Sequence, residues 1–144
     1  MAVDLDELFE LRELSREQIM QRLRASPEHV DPGVTYQSLE GVDRLHAPAH
    51  PAHFYFRGDE LLMIYVPEGA LDGVTPEQLE ARLDGEGERL RSRAGRDAAL
   101  WVHAEQGVAY VAEDGAVISL EVFPPTGFER YRDEIWWEPP EFIR

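Results

Sequence analysis

The sequence predicts an α+β fold of two helix-then-antiparallel-sheet units, followed by a short C-terminal helix. A capped helix start occurs twice, at Ser15 and at Thr75. Each start leads, much later in the chain, to a hydrophobic strand that ends in proline, at Pro67 and Pro124. Between the last two strands, the dipeptide Asp114-Gly115 is typical of a tight hairpin turn. Together these signals indicate helices followed by meandering strands.

The two units share a pattern that predicts a tandem repeat within one domain. The chain has 144 residues, a length typical of a single domain. We interpret 1–144 as that domain, with units over 15–67 and 75–125 and an aromatic C-terminal segment over 126–144. Ser-Arg-Glu-Gln-Ile in the first unit matches Thr-Pro-Glu-Gln-Leu in the second. Because the matches are short, a chance similarity stays open beside the repeat.

The helix starts have a physical cause in their side chains. Ser15 and Thr75 can each accept a hydrogen bond from a backbone N–H that the helix leaves unpaired. Gln18 and Gln78 stand three residues later, where they complete a capping box. In the second helix, Leu79 and Leu83 are expected to share one apolar face.

Two further helices are predicted at the ends of the chain. Apolar residues at helical spacing, among them Leu5, Leu8 and Leu11, predict an amphipathic helix over about 4–13. Near the other end, Thr126 and Glu129 have the spacing of a third capping box. The apolar residues that follow predict a helix over about 127–136.

Alternation of apolar and polar residues predicts the strands. They are expected near 34–39, 41–45, 54–56, 60–66, 99–104, 107–112 and 116–123. In the last strand, Ile118, Leu120 and Val122 are predicted to face the core. Val117, Ser119 and Glu121 are predicted to face solvent, because alternate residues point to opposite faces.

This order of elements resembles two known families at the level of architecture. The residues that carry the resemblance are Ser15 to Leu23 with Phe54 to Val66, and Thr75 to Leu83 with Trp101 to Phe123. The pattern is similar to the tandem repeat of beta-lactamase-inhibitor-like proteins and to the single unit of SmpA/OmlA lipoproteins. The resemblance implies that the chain binds another protein across a sheet face. It implies no catalytic residue.

The composition excludes several classes of partner and site. Fourteen basic residues face 29 acidic ones, for a net charge of −15, which disfavours nucleic acid and anionic membranes as partners. Cysteine is absent, so disulfides and thiolate metal sites are excluded. The first residues lack the basic start and apolar run of a secretion signal. We therefore expect a cytoplasmic bacterial protein.

Three histidines crowd one proline-rich stretch. His46, His50 and His53 lie close to Asp43, and imidazole nitrogens bind zinc, nickel and copper. They are therefore candidate ligands of a divalent metal. The intervening prolines prevent a helix, so a loop would have to hold the metal. The alternative is a surface connector without a metal.

One basic stretch interrupts the acidic chain. It contains Arg89, Arg91 and Arg93, whose planar guanidinium groups are suited to a phosphate or carboxylate. These residues are candidate anion ligands. The alternative is a solvated linker whose positive charges offset the surrounding acids.

Three large aromatic residues lie near the C-terminus. Trp136, Trp137 and Phe142 are candidate partner-binding residues, because tryptophan is enriched where binding energy concentrates. The alternative is that they complete the core.

The leading functional hypothesis is a protein-binding module that acts through a sheet face or edge. No pattern of a nucleophile with its base occurs, so no catalytic residue is predicted. The partner is expected to be another protein or a second copy of this chain, with no cofactor. One alternative is a small metal-binding protein or metal-dependent enzyme that uses the histidine cluster. Another is an acidic antagonist of a basic protein, whose binding would weaken with salt.

Overall fold

A computed structural model describes residues 2–92 and 98–139 and confirms the α+β class, with one antiparallel sheet of eight strands. The helices are α1 (Leu5–Leu11), α2 (Arg16–Arg22), α3 (Pro76–Glu80) and α4 (Phe128–Arg130). A π-helical turn, Tyr131–Ile135, continues α4. The first four strands are β1 (Val30–Tyr36), β2 (Leu39–Leu45), β3 (His53–Arg57) and β4 (Glu60–Val66). The others are β5 (Glu88–Arg91), β6 (Ala99–His103), β7 (Val108–Glu113) and β8 (Ala116–Val122).

Two four-stranded meanders form the sheet. Its strand order is β1-β2-β3-β4-β8-β7-β6-β5, so the last strands of the two meanders pair at the centre. There Tyr65 of β4 stands opposite Glu121 of β8. The first strands, β1 and β5, form the two edges.

The sheet is strongly curved. In the strand order, β1 and β8 are four strand spacings apart, roughly 19 Å in a flat sheet. The hydroxyl of Tyr36 on β1 nevertheless donates a hydrogen bond to the carboxylate of Glu121 on β8. The Tyr36 ring also lies 4.7 Å from that of Tyr55 and 5.6 Å from that of Tyr65. The face that carries these residues is therefore the concave face.

Each face of the sheet carries its own core. Helices α1, α2 and α3 pack on one face through Leu8, Ile19 and Leu79, each fully buried. On the concave face, the C-terminal segment packs through Tyr131, also fully buried. Among the described residues, no helix is long and apolar enough to cross a membrane.

Two of the three predicted helix caps are confirmed. Ser15 with Gln18 and Thr75 with Gln78 form complete capping boxes. The third predicted cap, Thr126 with Glu129, was wrong. The N-cap of α4 is Gly127, which has no side chain that could accept a hydrogen bond. Helix α3 is also shorter than expected and ends at Glu80, before Leu83.

Most of the predicted strands are present. The prediction that Val117 and Glu121 of β8 face solvent was wrong, because both are buried. Val111 pairs with Ser119, but the next residue of β7, Ala112, pairs with Val117. Ile118 is therefore an extra residue, and a bulge of this kind reverses the alternation beyond it. Val117 consequently joins Leu120 in the core under the helices. Glu121 faces the concave side, where it is only 2% exposed.

Candidate functional site

A cleft of about 400 Å³ lies on the concave face and is the candidate site. We call it the central cleft. Its floor comes from the paired strands at the middle of the sheet, and its walls come from β1, β5 and the C-terminal segment. Its lining includes three aromatic residues and three charged ones, namely Tyr36, Tyr65, Trp136, Glu68, Arg91 and Glu121.

Glu121 is the buried charge of this cleft, and three donors hold it. Its Oε2 accepts hydrogen bonds from the hydroxyl of Tyr36 and from Nε2 of Gln37, the latter at 2.7 Å. Its Oε1 accepts a hydrogen bond from the hydroxyl of Tyr131. Both oxygens therefore have partners, as a buried carboxylate requires.

Burial controls the protonation of this network. It raises the pKa of Glu121 above its ordinary value, while the three donors act in the opposite direction. Burial first, and then the charge of Glu121, raise the pKa values of Tyr36 and Tyr131 well above the ordinary value. Both tyrosines therefore keep their protons at neutral pH and act as donors.

Two charged residues of the cleft, Arg91 and Glu68, are exposed. Arg91 donates from Nη2 to Oε1 of Glu138 and to the carbonyl oxygen of Pro139, both at 2.9 Å. Its positive charge is thus already paired. Glu68 is exposed and follows β4 in a short 3₁₀ turn. With Glu121 at the floor, the lining of the cleft has two carboxyl groups and one arginine.

The C-terminal segment lies across one side of the cleft. Ser38, in the turn between β1 and β2, donates from its backbone N–H to Ile135 and from its hydroxyl to the carbonyl of Trp136. At the opposite end, Nε1 of Trp136 donates to the carbonyl of Arg91 at 3.1 Å. Hydrogen bonds therefore join Trp136 to the β1–β2 turn at one edge of the curved sheet and to β5 at the other.

The aromatic and basic candidates differ in their placement. Trp136 lines the cleft and Trp137 is 44% exposed, whereas Phe142 lies outside the described residues. Arg91 lines the cleft and Arg89 is exposed on the same strand, whereas Arg93 lies outside the described residues. Of these two predicted sets, the structure brings Arg91 and Trp136 together.

The three histidines do not converge on one point. The rings of His46 and His53 are 4.4 Å apart. His50 is buried elsewhere in the loop, with Nε2 at 2.8 Å from Oε1 of Glu7 and Nδ1 accepting the N–H of Ala52. Both of its nitrogens are therefore engaged within the protein. The described part of the chain contains no group of three side chains arranged to hold a metal ion. The metal hypothesis stays a prediction, without geometric support here.

Sequence reasoning missed most of the cleft. The sequence pattern does not mark Tyr36, Gln37, Tyr65 or Tyr131 as site residues, and it predicts a solvent face for Glu121. One local signal could have identified Glu121, which is an acid in the apolar run Ile-Ser-Leu-Glu-Val. Its donors come from distant parts of the chain, so no local pattern identifies them.

Comparison with known proteins finds no matching family model, no matching curated protein and no matching solved structure. The resemblance to beta-lactamase-inhibitor-like and SmpA/OmlA proteins therefore stays a prediction. The geometry of the central cleft is the basis on which a function can be inferred.

Proposed function

We propose that the chain is a protein-binding module whose central cleft takes a lysine or arginine side chain of a basic partner. One observation carries this proposal. Three aromatic residues, Tyr36, Tyr65 and Trp136, line the same cleft as two carboxylates, Glu68 and Glu121. The proposal joins two expectations from the sequence, a binding module on a sheet face and an acidic protein that binds a basic one.

The chemistry of the lining suits an organic cation. Aromatic faces attract ammonium and guanidinium groups through the ring quadrupole. Glu68 lies exposed at the rim, where it can contact an incoming cation. The volume, about 400 Å³, is within the range of ligand-binding clefts.

The overall charge favours the same partner. A net charge of −15 attracts basic proteins over a distance and speeds their association at low salt. The cation of the cleft, Arg91, already has Glu138 as its counterion. It therefore opposes a second cation less than an unpaired arginine would.

The arrangement of Glu121 supports binding rather than proton transfer. Its two oxygens accept three hydrogen bonds from within the protein. We assign it two roles, which are to hold the walls of the cleft together and to make its floor negative.

A titration with a single side-chain analogue tests the proposal. Nα-acetyl-lysine amide, added to ¹⁵N-labelled protein, is expected to shift the amide signals of Tyr65, Ser119 and Trp136. Nα-acetyl-norleucine amide has a similar length but no charge and should leave them nearly unchanged. Glu68→Gln should weaken binding of the lysine analogue roughly threefold, because an exposed ion pair contributes little.

The matched control is Glu113→Gln, which removes an exposed acid at the end of β7. It should bind the lysine analogue as the wild type does. An equal response to the lysine and norleucine analogues would contradict the proposal.

We also retain the tandem repeat as a proposal. Each half consists of a capped helix followed by four antiparallel strands, and the halves pair through their last strands. This order is what two copies of one unit would give. Association into a homodimer and a cytoplasmic location also stay predictions.

A further inference from the structure

The two edges of the sheet differ in how they are protected. Edge strand β1 contains Pro32, which has no N–H, and its pairing with β2 is twice shifted in register. Edge strand β5 pairs with β6 in unbroken register from Glu88 to Arg91. Proline and bulges block the addition of another strand, and in its described residues β5 has neither.

The outward-facing groups of β5 can be assigned. The carbonyl of Arg91 accepts a hydrogen bond from Nε1 of Trp136, so it points away from β6. In an antiparallel pair, the direction of the backbone groups alternates from residue to residue. The N–H and C=O of Arg89 therefore also point outward. The indole N–H stands where the N–H of a neighbouring strand would stand.

This edge adjoins the central cleft, because Arg91 also lines it. A strand added beside β5 would direct alternate side chains to the concave face. The side chains between them would lie on the side of Arg89, which pairs with Trp101 of the core under the helices. Like charges that face each other across strands destabilise a pair, so these intermediate positions should not be basic.

We propose that the basic partner binds as an extended strand paired along β5. Its lysine or arginine residues, at alternate positions, enter the central cleft, with neutral or acidic residues between them. The strand displaces the indole N–H of Trp136 from the carbonyl of Arg91. This inference depends on the proposed function, because the cleft supplies the preference for a cation.

A seven-residue peptide of alternating threonine and lysine is a suitable probe. Two versions carry backbone N-methyl groups, one on every lysine and the other on every threonine. In a paired strand only one of these sets points toward β5. Methylation of that set should weaken binding to the wild-type protein at least about fivefold, since backbone hydrogen bonds are lost. Methylation of the other set should change binding less than about twofold.

A pair of variants tests the same point from the protein side. Arg89→Pro removes an outward N–H, whereas Arg89→Ala removes the same side chain and keeps that N–H. Arg89→Pro should bind the unmethylated peptide about fivefold more weakly than Arg89→Ala. Both variants should bind Nα-acetyl-lysine amide equally, which also shows that the cleft is intact.

The outcomes separate the two proposals. Equal binding of both methylated peptides to the wild type would overturn strand addition, even if the lysine analogue binds. Failure of both the lysine analogue and the peptide to bind would overturn the proposed function and this inference together. A peptide of the same composition with its lysines adjacent should bind more weakly, and equal binding would also overturn the inference.

Discussion

Tyr36 and Glu121 are joined by a hydrogen bond, although four strand spacings separate their strands in the sheet. The contact is possible because the sheet curves around the concave face. Glu121 also accepts from Tyr131 of the C-terminal segment. One buried carboxylate thus connects the first strand, the last strand and the C-terminal segment.

Removal of either tyrosine hydroxyl should destabilise the fold. We expect Tyr36→Phe and Tyr131→Phe each to lower the free energy of unfolding by about 1.5–3 kcal/mol, as for hydrogen bonds to a charged group. Urea denaturation measures this. The control is Tyr110→Phe, whose hydroxyl donates to Glu80 at 3.3 Å on the other face. It should cost less than about 1 kcal/mol, and equal losses in all three variants would contradict the role of Glu121.

Glu121 should make stability depend on pH in a defined direction. Because burial raises its pKa, the folded protein keeps the proton at pH values where the unfolded chain has lost it. Its contribution to stability is complete below the ordinary value of 4.5 and is lost as the pH rises toward the higher folded-state pKa.

The variant Glu121→Gln does not titrate at this position. The unfolding free energy of the wild type, measured in urea, should therefore fall relative to that of Glu121→Gln as the pH rises from about 4. Parallel curves for the two proteins would show that burial does not shift this carboxyl group.

The helix caps allow a comparison within one chain. Ser15→Ala and Thr75→Ala should each cost about 1 kcal/mol, because each removes the side-chain oxygen of a complete capping box. Thr126→Ala should cost less than about 0.5 kcal/mol, since the N-cap of α4 is Gly127 and no side chain caps this helix. Thermal unfolding measures all three, and a cost for Thr126→Ala as large as the others would contradict this assignment.

Gly107 should tolerate no side chain. It has a φ of 68°, and a Cβ there would collide with the carbonyl oxygen of Phe123 and with Nη1 of Arg12. Gly107→Ala should therefore cost more than about 2 kcal/mol. Gly115 has a similar φ of 78° but open space around it, so Gly115→Ala should cost only about 1 kcal/mol. Equal costs would mean that backbone conformation alone, and not the collision, determines the effect.

Local pattern predicted the elements better than the site. Strand 60–66 was predicted with its observed bounds, since its apolar run is bounded by a turn and a proline. The strand Glu88–Arg91 was missed, because its three charged residues resemble an exposed linker. As an edge strand, β5 keeps these side chains in solvent, so charge does not prevent pairing there.

The cleft depends on features that a one-dimensional pattern does not contain. The bulge at Ile118 moves Val117 to the face of Leu120, whereas Glu121 keeps its predicted face and is buried there because β1 and the C-terminal segment cover it. The curvature of the sheet then brings Tyr36 to Glu121 from 85 residues away in the sequence. Neither feature can be read from apolar spacing, whereas the net charge that favours a basic partner can.

The most direct measurement locates a cation within the central cleft. Intermolecular nuclear Overhauser effects should be recorded between Nα-acetyl-lysine amide and the protein. We expect contacts from the lysine ε-methylene protons to the rings of Tyr65 and Trp136, and weaker contacts in Glu68→Gln at the same sub-saturating ligand concentration. Contacts to rings on the helix face instead, such as Phe9, or no contacts at saturating ligand, would contradict the proposal.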